Sequence, residues 1–292
     1  MKRLFVSGAN GFLGSNIIKK AVLAGCEVVA VTSADKAVCD VETVKTEDFL
    51  KDGYSFKPGD VFINCLFPTN ADGYRMADGL KKVYRIISVC GECKVGAFVN
   101  ISSQSVYNSK REQPAKEDDK LCPETPYAVG KYSTEEFCNE VLKNTAHTNI
   151  RLASLLGVGY EQRIINRMVG QAFSGAQLKV IGGMQRYGFL DVEDAAEAIV
   201  KLAVSPCEKW KDIYNLGTSE SVTLLEVVDM ICELMKSVAG KDVSYIVAEG
   251  TDTRNSSLDA GRFMNDFDWK PRKNVYQITK EIVLNKFEDS GS

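Results

Sequence analysis

Histidine is all but missing: among 292 residues there is one, His147. The lone Cys90-Gly91-Glu92-Cys93 pair therefore has no obvious second pair of ligands, and no metal is expected. His147 lies in the polar stretch Thr145-Ala146-His147-Thr148-Asn149 and is read as a loop residue rather than a catalytic base. A surplus of positive charge is also lacking, since 36 basic against 39 acidic side chains leave −3, which gives no footprint for a nucleic-acid partner. No apolar run reaches the ~18 residues of a membrane span, and a strand-like Leu4-Phe5-Val6 stands where a signal-peptide core would lie. The expected address is the cytoplasm, with no membrane partner. Nine cysteines, an odd number scattered through apolar stretches, argue for reduced thiols and against a disulfide framework. Internal repeats, low-complexity blocks and long linkers are absent as well.

What is present is ordinary globular material, 45% hydrophobic and 26% charged, long enough for one large α/β domain or two interleaved ones. Short β-branched runs at Leu4-Phe5-Val6, Val28 to Val31, Val61 to Ile63, Ala97 to Ile101 and Ile150 to Leu152 alternate with helical patterns, as in βαβ units of a parallel sheet. Beyond Leu155 the rhythm loosens: a helix over Ile164 to Phe173, a strand over Leu178 to Ile181, and a helix over Ala195 to Val204. One more strand is predicted at Tyr214-Asn215-Leu216-Gly217, and Thr223 with Glu226 forms a capping box for a helix running toward Gly240. Trp210 and Trp269 are expected at lobe surfaces.

Directly after the first strand comes Gly8-Ala9-Asn10-Gly11-Phe12-Leu13-Gly14, followed by Ile17, Ile18, Ala21 and Val22 at helical spacing. Gly8 permits a tight turn, Gly11 lets backbone N–H groups approach a pyrophosphate, and Gly14 allows close helix–strand packing. This is a dinucleotide-binding pattern with GxxGxxG spacing. Nicotinamide type is read at the end of the second strand, where a carboxylate would bind the 2′-hydroxyl of NAD. Thr32 holds that place, and Ser33 and Lys36 can bond a 2′-phosphate while Asp35 lies close by, so the reading is NAD or NADP with a lean to NADP. Asp40 and Val41 are candidate adenine contacts, and Leu66, past the strand at 61–63, completes the cofactor set with Asn10, Phe12 and Leu13. The fold class is α/β, a Rossmann-type doubly wound parallel sheet with a smaller interleaved C-terminal lobe. Residues 1–155 are assigned to the dinucleotide domain and 156–292 mainly to a substrate lobe, with segments near 190–217 returning to the sheet.

After the strand ending at Ile101 stand Ser102-Ser103-Gln104-Ser105-Val106-Tyr107, and 24 residues past Ser103 comes Tyr127-Ala128-Val129-Gly130-Lys131. Thr125 can cap a helix with Pro126 at its first position, which puts Tyr127 and Lys131 on one face, a turn apart. An ammonium one turn from a phenol is expected to lower its pKa and suit it to proton transfer. The ordered set of GxxGxxG, the serine after the fifth strand, YxxxK, Asp191 to Ala196, Tyr214 to Gly217, Leu258-Asp259 and Trp269-Lys270-Pro271 resembles the extended short-chain dehydrogenase/reductase family, in its NAD-dependent epimerase/dehydratase branch. The resemblance implies Tyr127 as acid/base, Lys131 holding the nicotinamide ribose and tuning Tyr127, and Ser103 bonding the reacting oxygen. It also implies a homodimer through the helices around Leu80 to Val89 and Tyr127 to Leu142.

Members that dehydrate nucleotide sugars carry an Asp-Glu pair where this chain has Gln104-Ser105, so the resemblance implies 4-epimerase or 4-keto-reductase chemistry on a nucleotide sugar. Substrate positions depart from the family: its asparagine after the sixth strand is Ser154, its two arginines fall on Tyr187 and Glu249, and another asparagine falls on Met76. Ser154, Arg186 and Arg254 are the candidate substrate residues, with Arg254 as the candidate phosphate partner. The alternatives are a reductase of a small non-sugar carbonyl compound and a non-catalytic NAD(P)-binding sensor.

Overall fold

The computed structural model describes residues 2–68, 73–218 and 220–290. Its first half alternates as the hydrophobic rhythm dictates: β1 (Arg3–Ser7), α1 (Phe12–Leu23), β2 (Glu27–Thr32), β3 (Glu42–Lys45), α2 (Thr46–Asp52), β4 (Val61–Asn64), α3 (Gly73–Glu92), β5 (Ala97–Ser103), α4 (Pro126–Val141) and β6 (Ala146–Leu152). The second half holds β7 (Ser154–Leu156), α5 (Ile164–Phe173), β8 (Leu178–Ile181), β9 (Arg186–Tyr187), β10 (Phe189–Asp191), α6 (Val192–Val204), β11 (Ile213–Leu216), β12 (Val222–Thr223), α7 (Leu224–Ala239), β13 (Tyr245–Ala248), α8 (Gly261–Phe267) and α9 (Val275–Ser290).

Seven strands form one parallel sheet in the order β3-β2-β1-β4-β5-β6-β11. Strand order reverses at β1, so a crevice opens at the carboxyl ends of β1 and β4, where such sheets bind ligands. The pleat sends Leu4 and Val6 to one face, packed with Ile17 and Ile18 of α1 and the alanine-rich α6, and Phe5 to the other, with Val83 and Ile86 of α3 and Cys138 of α4. Phe5, Phe62 and Phe98 stack across adjacent strands with centroids 6.3 and 5.6 Å apart. A hydrogen-bonded polar ladder crosses the same strands: Ser7 Oγ donates to Asn64 Oδ1 (2.7 Å), and Asn100 Nδ2 donates to Asn149 Oδ1 (2.9 Å), with Asn64 bridging to Asn100 at 3.3 Å.

The second core lies between α5, α7 and α9 and the β8–β13 pair. Thr223 and Glu226 cap α7 reciprocally, and Gly240 ends it in the left-handed conformation (φ 64°). Three sequence expectations need correction. Trp269 is buried in the main core against Phe263, held there because β11 and α8 close over that edge of the sheet. His147 lies within β6, its ring bonded to the Thr145 carbonyl and Asn139, because the strand runs four residues further toward the N-terminus than its apolar run. The strand after β2 is β3, a polar edge strand that periodicity did not mark, so Asp40 and Val41 precede it rather than follow it.

Candidate active site

The turn between β1 and α1 is built for close approach. Gly8 has φ 64°, and a Cβ there would stand 3.0 Å from the backbone of Cys65 and Leu66 at the end of β4. A Cβ on Gly14 would strike the Gly8 carbonyl oxygen, so only glycine lets α1 start this close to the sheet. Gly11 caps α1 without a side chain over its first N–H groups, and no acidic residue occupies the first turn. Uncapped amides at the positive end of a helix, floored by glycine, fit the pyrophosphate of a dinucleotide. A groove of about 430 Å³ runs from this turn; Gly8, Asn10, Gly11, Phe12, Leu13, Gly14, Thr32, Ser33 and Leu66 all line it.

The lining also includes Thr46, Glu47 and Lys82, whereas Asp40 and Val41, the candidate adenine contacts, are not part of it. The displacement follows from β3: residues just past the strand, not before it, face the crevice. Asn10 bonds the Lys36 carbonyl and the Val38 N–H, pinning the loop after β2. Asp35 is turned outward into an ion pair with Lys45 (2.5 Å), which lowers its pKa.

Beside the groove lies a second cavity of about 570 Å³ whose wall carries Ser103, Tyr127, Lys131 and Ser154 together. Ser103 ends β5, and Thr125 caps α4 by accepting from the Ala128 N–H (3.1 Å), with Pro126 in its first turn. The same helix thus presents Tyr127 at its mouth and buries Lys131 one turn deeper, only 5% exposed. Lys131 Nζ donates to the Ile101 carbonyl (2.6 Å) and sits 3.9 Å from the Phe67 ring centroid. Burial brings its pKa down to about 7.

The expectation that Lys131 lowers the Tyr127 pKa is corrected. Burial raises the phenol above its ordinary value, and the groups that pull it back are the Ser103 hydroxyl and the Arg163 guanidinium. Lys131 is 5.8 Å from the phenol ring, aimed at a carbonyl, and only partly charged near neutral pH. Cys65 lines both cavities, but burial pushes its thiol up to about 12, which removes it as a nucleophile.

The floor under Ser103 is a buried polar network. Arg151 forks onto Glu135 (2.8 Å) and donates to the Tyr107 hydroxyl (2.9 Å) and the Glu117 carbonyl, while Glu135 accepts a short bond from Ser102. Gln104 lines the cavity with its Oε1 accepting from Arg111 Nη2 (3.2 Å), which leaves its amide N–H groups to serve a ligand. Among the described residues no aspartate or glutamate lines this cavity, and Met76 gives it an apolar wall.

Arg186 and Arg254 do not reach it. Arg254 is exposed and paired with Asp252 (2.7 Å), and Arg186 projects from β9 toward Ser221. Sequence reading missed Tyr160 and Arg163, which line both cavities. They sit on the loop between β7 and α5, where no periodicity marks them and only the chain's return over the sheet brings them to the site.

Among the described residues no helix is long and apolar enough to cross a membrane, and no group of three or more His, Cys, Asp or Glu side chains could hold a metal. Spore coat polysaccharide biosynthesis protein SpsK of Bacillus subtilis (strain 168) is 28% identical over 243 residues, covering 80% of this chain and 79% of that protein. The fold matches MoeE5 in complex with UDP-glucuronic acid and NAD, with a TM-score of 0.83 at 20% identity over 98% of this chain and 99% of that one. It also matches a Thermus thermophilus UDP-glucose 4-epimerase in complex with NAD, with a TM-score of 0.81 at 19% identity over 98% and 99%. The profile of the NAD dependent epimerase/dehydratase family covers residues 4–217, from the first strand of the parallel sheet through its last. That span takes in both the glycine turn and the helix bearing Tyr127 and Lys131, and on it the chain belongs to the NAD dependent epimerase/dehydratase family, of the extended short-chain dehydrogenase/reductase type.

Proposed function

We propose that this chain is an NAD(P)-dependent nucleotide-sugar 4-epimerase or 4-keto-reductase working at a secondary alcohol or ketone. The observation that carries the reading is convergence: Ser103, Tyr127 and Lys131 share one cavity wall, and that cavity meets the glycine-loop groove along Leu13, Cys65, Phe67, Leu155, Tyr160 and Arg163. The glycine turn and the start of α1 would hold the pyrophosphate, with Lys131 under the nicotinamide ribose. When bound, the nicotinamide supplies a hydride donor or acceptor at C4. Tyr127 gives or takes the proton of the substrate oxygen, and Ser103 holds that oxygen by a hydrogen bond. Phe67 packs edge-on against Tyr127 (5.2 Å), keeping the phenol in place and water away from Lys131.

Among the described residues the cavity has no carboxylate, and so no acid and base pair for expelling water, which supports epimerisation or reduction over dehydration. At the end of β2, Thr32 and Ser33 line the groove, as does Lys82 of α3, so NADP is admitted alongside NAD. MoeE5 with UDP-glucuronic acid and the Thermus thermophilus UDP-glucose 4-epimerase support a nucleotide sugar as substrate. The outward placement of Arg186 and Arg254 favours a second reading, a small non-sugar carbonyl substrate. We also propose a homodimer through α3 and α4, whose outer faces expose Tyr74 and Val129; a monomer by light scattering rejects it.

Native mass spectrometry of freshly purified protein tests the cofactor: retained NAD points to an epimerase, and an empty protein binding NADPH more tightly than NADH points to a reductase. Failure to bind either removes the enzymatic reading. Turnover of UDP- and dTDP-sugars against simple ketones then separates the two substrate classes.

A further inference from the structure

Arg163 carries a charge that no anion among the described residues answers. It is the N-cap residue of α5, lines both cavities where they meet, and its guanidinium lies over the Tyr160 ring at 4.9 Å, which in turn stacks on Phe12 at 4.6 Å. This aromatic stack fixes the side chain without neutralising it. Its Nε is buried with no hydrogen-bond acceptor, and among the described residues no carboxylate comes within ion-pair distance. The other cation of the substrate cavity, Lys131, is committed to the Ile101 carbonyl and the Phe67 face. Arg186 and Arg254, the cations expected to meet an anion, point elsewhere.

A guanidinium with an orphaned, buried N–H is unfavourable for the fold unless something completes it. Its planar fork matches a carboxylate or phosphate oxygen pair, and among the described residues no carboxylate lines the cavity to repel one. Arg163 and Tyr127 line the same cavity, so an anion on the guanidinium would share that space with the oxygen on which Tyr127 acts.

We propose that Arg163 is an oxyanion-binding residue of the substrate cavity, taking a carboxylate or phosphate group of the substrate beside the centre on which Tyr127 acts. The proposal rests on the reading of this cavity as the substrate site. It makes the preferred substrate an anion held from the cofactor side of the cavity rather than by the C-terminal arginine positions.

Calorimetric titration of UDP-glucuronate, UDP-glucose, UDP and inorganic phosphate into the wild type, Arg163→Met and Arg163→Lys tests it, with NAD titrated separately. Arg163→Met is expected to weaken UDP-glucuronate about 10- to 100-fold, the range of a lost charged hydrogen bond, with Arg163→Lys between the two. The loss should be larger for UDP-glucuronate than for NAD, whose groove Arg163 also lines, and the melting temperature should fall little, since the guanidinium's contact with the fold is the face of the Tyr160 ring. Loss confined to UDP-glucuronate assigns the group as a sugar carboxylate; equal loss for all three UDP compounds assigns it as the diphosphate. If no UDP compound binds the wild type while phosphate binding still depends on Arg163, the nucleotide-sugar reading falls and the subsite stands. Unchanged affinity of Arg163→Met for all four probes, loss for NAD alone, or a wild type that binds none of the four overturns the proposal.

Discussion

Replacing Lys131 by methionine should change how the protein's stability depends on pH, and the size of the change follows from where the ammonium sits. An ordinary lysine titrates at 10.5, and burial takes this one to about 7. Between those values the unfolded chain binds the proton more readily than the folded one, so the group opposes folding at low pH and stability rises with pH. With these two values the opposition is ~5 kcal/mol at pH 6 and ~3 kcal/mol at pH 8.5, so the side chain adds about 2 kcal/mol of stability across that interval. Lys131→Met keeps the stem against Phe67 and removes the titration, at the cost of leaving the Ile101 carbonyl without its donor. Urea unfolding of both proteins at pH 6, 7, 7.75 and 8.5 reads the difference directly. The expected result is a wild-type curve steeper than that of the mutant by about 2 kcal/mol across the interval. Parallel curves would refute the reasoning, since they would mean that Lys131 keeps its proton throughout and is better solvated than its burial implies.

Tyr127→Phe should lower kcat by ~10²- to 10⁴-fold, the range of a lost general acid/base, while the Kd for cofactor measured by fluorescence stays within about twofold. Gly14→Ala drives a methyl into the Gly8 carbonyl and should lower both cofactor affinity and the melting temperature. By contrast Gly170→Ala, inside α5 with open space around it, should stabilise the fold by ~0.5–1 kcal/mol in the same denaturation assay. Arg151→Met leaves the buried Glu135 carboxylate without its cation and should cost ~3–5 kcal/mol; a loss below about 1 kcal/mol would show that the network is hydrated.

The arginines show why the two halves of the site differ in legibility. Arg186 and Arg254 are the cations expected among the substrate contacts, yet neither lines the cavity, because β9 and the segment paired with it turn them outward. Arg163 had no motif to mark it and stands at the junction of groove and cavity. An exposed cation is interchangeable with its neighbours along a sequence, and only the path of the chain decides which one is left facing a ligand.

By itself the sequence determined the features that local physics sets. Alternating β-branched runs and helical patterns fix a parallel α/β sheet, glycines at 8, 11 and 14 fix the turn that lets α1 approach it, and Thr125-Pro126 starts the helix that aligns Tyr127 with Lys131. Each depends on hydrogen bonds and sterics spanning a few residues, so the pattern carries the outcome. Tertiary structure alone decided the electrostatics and the borders of the site: the depth that brings Lys131 to about 7, the reversal by which burial raises Tyr127 and Arg163 rather than Lys131 opposes it, and the polar edge strand β3 that displaces Asp40 and Val41 from the groove. Desolvation and Coulomb interactions sum over whatever surrounds a group in space, and those neighbours come from strands, helices and loops far apart in the chain.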